Sequence, residues 1–342
     1  MSEPLTITAA IPTYKRPRQF RRALESVLAQ MYPADQIVVG DDGSEEQVRE
    51  ICESYHDARI VYVARQPTLR MTDNWNFVVR WAERGLVALL EDDNYWLPGH
   101  LENAKKLFER FPDAGIYHAG HQEAWDRNDN LEIYRTYFPP WHTRLESAGG
   151  GYVPAQEIVL DALICGSINS STTVVQRALL ERVPPFEHRY LMGMDTLMWT
   201  RLAMASPCIY GAGLDTIYTY HGKNVSTGEI QTRRAGYQAR ASRRLIAIEA
   251  LQKGIISPEG IKHWLEQLPA GDAAGVLTIL GHRDTEPSLR AVAREIWALR
   301  GDVRATTGYL RASSILGWSV LEQADRIDVL LGGFARMKQV VL

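Results

Sequence analysis

The sequence predicts an α/β fold: a sheet flanked by helices, followed by a mostly helical C-terminal region. Three observations predict it. In the first 120 residues, short apolar runs without internal alternation are separated by segments with helical periodicity. Two of those runs end in acidic clusters, Asp41-Asp42 and Glu91-Asp92-Asp93. Beyond about residue 228 the pattern is almost entirely helical, broken near Pro258, Pro269-Ala270-Gly271, Pro287 and Gly301.

The elements follow in order. Leu5 to Ile11 is apolar and β-rich, and Pro12 is expected to end it. Phe20, Ala23, Leu24, Val27 and Leu28 recur on one helical face. Gln36 to Gly40 reads as a buried strand, Glu45 to Tyr55 as helix and Arg59 to Val63 as a third strand. Asn74 to Arg84 reads as helix and Leu86 to Leu90 as strand, followed by a helix over Gly99 to Arg110 and a strand over Ala114 to His118. Strands alternating with helices imply βαβ units and a parallel sheet covered on both faces. Residues 121–153, with Pro139-Pro140-Trp141-His142 and Gly149-Gly150-Gly151, read as a long loop or lid. Helix returns from Pro154, Thr172 to Gln176 is β-like, Gly193 to Ala205 is helical, and Ile209 to Tyr220 forms one or two strands. The expected domains are residues 1–228, with halves at about 1–120 and 121–228, and residues 229–342.

Composition narrows the function classes. The 342 residues are 45% apolar and 23% charged, ordinary for a globular chain and enough for about two domains. The 38 Lys and Arg nearly balance the 41 Asp and Glu, giving a net charge of −3, so no global nucleic-acid surface is expected. Three cysteines without a Cys-x-x-Cys favour a reducing compartment over a disulfide framework. The N-terminus lacks the charge order of a signal peptide, and no apolar run approaches the ~20 residues that span a bilayer. A cytoplasmic protein is expected, with peripheral contact at an inner membrane face as a variant.

In an open parallel sheet, ligands bind beyond the carboxyl ends of the strands. Both acidic clusters are expected there, close in space. Three consecutive acids repel one another, and a divalent cation with diphosphate would neutralise them. The plainer reading is an acidic cap on the next helix. Asp41-Asp42-Gly43-Ser44 reads either as a turn and helix cap or as an acid accepting a hydrogen bond from a nucleobase N–H.

The order of the pieces is more specific than any one of them. The chain carries Ile11-Pro12-Thr13-Tyr14-Lys15-Arg16-Pro17, then Leu24-Glu25-Ser26-Val27-Leu28-Ala29-Gln30, then Asp41-Asp42-Gly43-Ser44, then Glu91-Asp92-Asp93-Asn94-Tyr95-Trp96-Leu97-Pro98. This closely resembles the family 2 glycosyltransferases of GT-A fold, over residues 5 to about 225. The resemblance implies a GT-A-type nucleotide-binding sheet and a metal-dependent, inverting transfer of a sugar from a nucleoside-diphosphate sugar, most often UDP, to an acceptor hydroxyl. It implies that Pro12, Thr13 and Tyr14 hold base and ribose, that Arg16 meets base or phosphate, and that either Asp41 or Asp42 reads the base. Registered on Trp96, Glu91 takes the first acidic position of the metal motif and Asp93 the metal-binding one, which leaves Asp92 for the ribose or the metal shell. The implied cofactor is Mn²⁺ or Mg²⁺.

Met194-Asp195-Thr196-Leu197-Met198-Trp199-Thr200-Arg201 resembles the family's helix start that carries the general base, which falls on Asp195; Met194 replaces the usual Glu. Without that match, Asp195 reads as a helix cap. Tyr218 to Ser226 resembles a segment whose His, here His221, reaches metal or diphosphate, with Lys223 as a further phosphate contact. Trp141, Asn169 and Ser170 are candidate acceptor contacts, Trp141 alternatively packing under a loop. The Arg-rich helix over 232–253 is either a solvated face or a dock for anionic lipid. Trp264, Trp297 and Trp318 read as helical core, and the tail is a candidate dimer surface. Two other readings compete: a sugar nucleotidylyltransferase, against which stands Pro12-Thr13-Tyr14 in place of a Gly-rich loop, and a non-catalytic binding protein of the same fold.

Overall fold

The computed structural model describes residues 5–127, 130–221 and 233–300. The chain divides into two compact units, residues 1–158 with 166–228, and residues 159–165 with 229–342.

Among the described residues, the first unit is built on ten strands: β1 (Ile7–Thr13), β2 (Gln36–Asp41), β3 (Ile60–Ala64), β4 (Leu86–Leu89), β5 (Tyr95–Trp96), β6 (Ile116–Arg127), β7 (Asn130–Tyr137), β8 (Gly150–Val153), β9 (Val174–Gln176) and β10 (Cys208–Tyr220). Its helices are α1 (Pro17–Leu28), α2 (Glu46–Ser54), α3 (Met71–Trp81), α4 (His100–Arg110), α5 (His142–Leu145), α6 (Ala155–Ile164), which crosses into the second unit, α7 (Arg177–Leu180) and α8 (Met194–Ala205). The strands lie in the order β3-β2-β1-β4-β9-β6-β10-β5, with β7 on β6 and β8 on β10.

β1 to β4 form the expected parallel half. β1, β2 and β4 are buried on both faces, as their unbroken apolar runs require. The second half is mixed: β9 runs antiparallel to both β4 and β6, while β6 and β10 are parallel. One core, with Phe20, Leu24, Val48 and Leu101, fills one face; the other, with Trp75, Val78, Met198 and Trp199, fills the opposite one.

Two local expectations change. Pro12 does not end β1 but continues it opposite Gly40. β4 pairs with β1 only as far as Ala10, so the missing proline N–H falls where that neighbour has stopped. Residues 121–127 and 130–137 are not an open loop: β6 runs on to Arg127 and β7 pairs back along it. Their polar and aromatic residues lack a buried apolar face, so periodicity does not reveal them.

The second unit contains α9 (Arg233–Gln252), α10 (Pro258–Gln267), α11 (Ala270–Leu280) and α12 (Pro287–Leu299). Ser257 caps α10 by accepting the Gly260 N–H at 3.0 Å, with Pro258 at the first helical position. The described arginines of α9 are not one solvated face: Arg244 is buried near Asp284, and Arg240 and Arg243 are half-buried. Trp264 and Trp297 are half-buried; Trp318 lies outside the described residues.

Candidate active site

The site begins at the carboxyl ends of β1 and β4. Thr13 closes β1, and its hydroxyl donates to Asp92 Oδ2 at 2.8 Å. The Tyr14 N–H donates to the same oxygen at 3.2 Å. Arg16 then turns inward: its Nη1 lies 2.9 Å from Asp92 Oδ1 and 3.0 Å from Asp93 Oδ2. His221, just past β10, places Nε2 at 3.1 Å from the same Asp93 oxygen. Residues 76 to 128 positions apart thus converge on two adjacent buried carboxylates.

The electrostatics are those of crowded acids. Burial first, then Asp93, pushes the Asp92 carboxyl up to about 6, against the pull of Arg16. Burial, then Asp93 and Asp195, pushes Glu91 up to about 8. Burial lowers the Arg16 guanidinium, but Asp92 and Asp93 outweigh it and raise the guanidinium above its ordinary value. Glu91 is held locally: its Oε2 accepts from Asn94 Nδ2 at 2.9 Å and from the Ser171 hydroxyl at 3.0 Å.

Asn94, Trp96 and Thr219, together with Ser171 and Thr216, which no sequence motif marks, hold this turn in place. Asn94 Oδ1 accepts the Thr219 N–H at 2.9 Å, and the Thr219 hydroxyl donates to the Asp93 carbonyl. Trp96 Nε1 and the Thr216 hydroxyl both donate to the Ser171 carbonyl, at 2.6 and 2.9 Å. The signal was faint: Thr216 and Thr219 are small polar residues in a largely apolar strand.

Asp41 and Asp42 both have local partners. Asp41 closes β2 and accepts from the Gly43 N–H at 3.0 Å, the Glu45 N–H at 2.8 Å and the Tyr62 hydroxyl at 2.9 Å. Asp42 clasps the N–H groups of Leu69 at 2.5 Å and Arg70 at 2.8 Å. Arg70 sits at φ 75°, ψ 162°, a region otherwise used by glycine. Gly40, beside them, admits no side chain: a Cβ there would lie 2.6 Å from Val78 and 2.7 Å from Asn74.

Asp195 occupies the first turn of α8, a favourable place for a carboxylate in the helix dipole. Gly193, at φ 96°, makes the turn into that helix. Asp195 is half-buried, and its charge is felt at Glu91.

The acceptor candidates have other neighbours. Trp141 is 3% exposed and packs edge-on against His118 at 5.4 Å, so neither ring face is open to a sugar. Ser170 Oγ accepts from Trp199 Nε1 at 3.2 Å, and Asn169 Oδ1 accepts the Ser171 N–H at 2.9 Å. Pro12 is buried inside β1. Lys223 and the rest of 222–226 lie outside the described residues.

Among the described residues, no three His, Cys, Asp or Glu side chains form a metal cage. The donor set at Asp93 and His221 nevertheless suits a cation that arrives with phosphate, since Mg²⁺ and similar ions take one or two protein ligands and fill the rest with phosphate and water.

Residues 8–154 match the family model described as glycosyl transferase family 2. A β-1,3-glucosyltransferase of Escherichia coli, WfgD, described as using UDP-Glc on GlcNAc-diphosphoundecaprenol, is 23% identical over 195 residues, 56% of this chain and 68% of that protein. Hyaluronan synthase of Streptococcus pyogenes is 29% identical over 171 residues, 46% of this chain and 38% of the synthase. Among solved structures, S. aureus TarS 1-349 in complex with UDP-GlcNAc superposes with a TM-score of 0.59 at 15% identity, covering 94% of this chain and 92% of that one. The mannosyltransferase PcManGT from Pyrobaculum calidifontis, in complex with GDP-Man and Mn²⁺, gives 0.51 at 18% identity, covering 95% and 86%.

Proposed function

Because residues 8–154 match the glycosyl transferase family 2 model, we propose that this chain transfers a sugar, with inversion, from a UDP-sugar to an acceptor hydroxyl. The observation that carries this reading is the convergence of Thr13, Tyr14, Arg16 and His221 on Asp92 and Asp93 at the sheet's carboxyl edge.

In this reading, Asp92 orients the segment 13–16 and meets the ribose. Asp93 and His221 hold Mn²⁺ or Mg²⁺, with Glu91 supporting the turn through Ser171 and Asn94 rather than ligating. The bound cation would offset the negative charge that develops on the departing diphosphate. Arg16 adds a fixed positive charge on the same side. Asp42, with two acceptor sites used against three on Asp41, is better placed to read a base N–H. Asp195 takes the proton of the acceptor hydroxyl as that oxygen bonds to the anomeric carbon. The bond from that carbon to phosphate breaks, and its electron pair leaves with the nucleoside diphosphate.

The test is calorimetric titration of UDP, dTDP and GDP, each with and without Mn²⁺, on wild type and Asp93→Ala. Metal-dependent binding of UDP that is lost in Asp93→Ala is expected. Binding of no nucleotide by folded protein in Mn²⁺ would overturn the donor site, and preference for GDP would change the donor class.

A further inference from the structure

Beside the proposed donor site lies a cluster of aromatic rings that the site itself does not use. Trp125 on β6 stacks on Tyr134 of β7, with ring centroids 5.2 Å apart and planes 26° apart. Tyr220 at the end of β10 meets both, at 5.5 and 6.1 Å, and Tyr218 meets Tyr220 at 5.0 Å. The pairing register sets Tyr220 opposite Trp125 and Tyr218 opposite Glu123, so these side chains share one sheet face. Trp125 and Tyr134 are 40% and 44% exposed.

This face is not a plain apolar patch. At its base Glu123 is nearly buried, and it accepts the Tyr134 hydroxyl at 2.9 Å. Arg135 Nη1 stands 3.8 Å from Glu123 Oε2, and His121 Nε2 stands 3.9 Å from Oε1. Part-exposed aromatic rings edged by hydroxyls, a carboxylate and a guanidinium match a pyranose, which has apolar C–H faces and a rim of hydroxyls. The cluster adjoins the segment that reaches the donor site: Tyr220 is followed in the chain by His221, whose Nε2 lies 3.1 Å from Asp93 Oδ2.

We infer that Trp125, Tyr134 and Tyr220, with Glu123, form the platform on which a sugar unit of a carbohydrate acceptor is held during transfer. The inference rests on the reading of the chain as a sugar transferase with its donor at Asp93. It replaces Trp141 as the aromatic contact to the acceptor.

The test is saturation-transfer difference NMR on the full chain, with millimolar methyl glycosides of glucose, galactose, mannose and N-acetylglucosamine as probes. At least one glycoside should receive saturation, strongest at its ring C–H protons. Its affinity should weaken roughly tenfold in Trp125→Ala, and recover in Trp125→Phe. Tyr134→Phe, which keeps the ring and frees Glu123, separates stacking from hydrogen bonding and should weaken binding less than Trp125→Ala. Titration of UDP with Mn²⁺ should be the same in Trp125→Ala as in wild type; loss of UDP binding in the wild type itself would strike the donor reading, not this platform. Three outcomes would overturn the platform: no glycoside saturated, saturation unchanged in Trp125→Ala, or a wild-type dimer that Trp125→Ala converts to monomer, which would make the face a contact between copies.

Discussion

Asp195→Asn keeps the shape of that side chain and removes its basicity. Transfer should fall about 10²- to 10⁴-fold, while calorimetry should find UDP binding unchanged. Thr219→Val separates a supporting role from a direct one. It removes the hydroxyl that holds the Asp93 carbonyl but keeps the volume of the side chain. UDP affinity in Mn²⁺ should weaken about tenfold, the low end for outer contacts to a metal ligand, with little change in the metal-free titration. At this scale the sequence was uneven. Asp93, Arg16 and His221 were visible because each stands in an ordered string of motifs. Ser171 and Thr216 were not, because they act through hydrogen bonds to residues 45 to 80 positions away in the chain.

The strands explain which elements could be read. β1, β2 and β4 are buried on both faces, and such burial demands the continuous apolar runs seen at Leu5 to Ile11, Gln36 to Gly40 and Leu86 to Leu90. β7 is largely exposed, so its residues answer to pairing with β6 rather than to a core, and no apolar run marks it. β10 is tied to its neighbours by Asp215, which is fully buried. His100 Nδ1 lies 3.0 Å from it, and it accepts from Asn103 at 2.9 Å and from the Tyr117 hydroxyl at 2.5 Å. Asp215→Ala would orphan all three groups and should cost about 3 kcal/mol or more, read by urea unfolding.

On β6, burial pushes His118 down to about 3, and neither ring nitrogen has a hydrogen-bond partner among the described residues. The unfolded chain takes up a proton near pH 6.5, whereas the folded one does not until about pH 3. The contribution of His118 is therefore intact above pH 6.5 and is lost as pH falls toward 3, with a slope of up to about 1.4 kcal/mol per pH unit. His118→Phe should flatten that acid slope in melting temperatures measured from pH 7 to pH 4.

For the molecule as a whole, the division into a sheet unit and a helical unit places every residue of the proposed donor site in the first. If the cation and the nucleotide bind together, UDP and Mn²⁺ together should raise the melting temperature well beyond the sum of their separate effects. At a hundred times the dissociation constant the gain is about 2.7 kcal/mol, and differential scanning calorimetry would measure it. Additive shifts would mean that the two bind independently. No helix among the described residues is long and apolar enough to cross a membrane. With Arg244 buried and Arg240 and Arg243 half-buried, a lipid surface would find fewer open cations on α9 than the sequence of that helix suggests.

The backbone of Arg70, held at φ 75°, ψ 162° by the Asp42 clasp, stores about 1–3 kcal/mol of conformational strain. The segment before α3 is therefore cocked like a latch whose catch is one carboxylate. Arg70→Gly would relax it and should make the protein harder to melt. Asp42→Ala would release the catch, and limited digestion with trypsin should then cut faster at Arg65 or Arg70 than in the wild type.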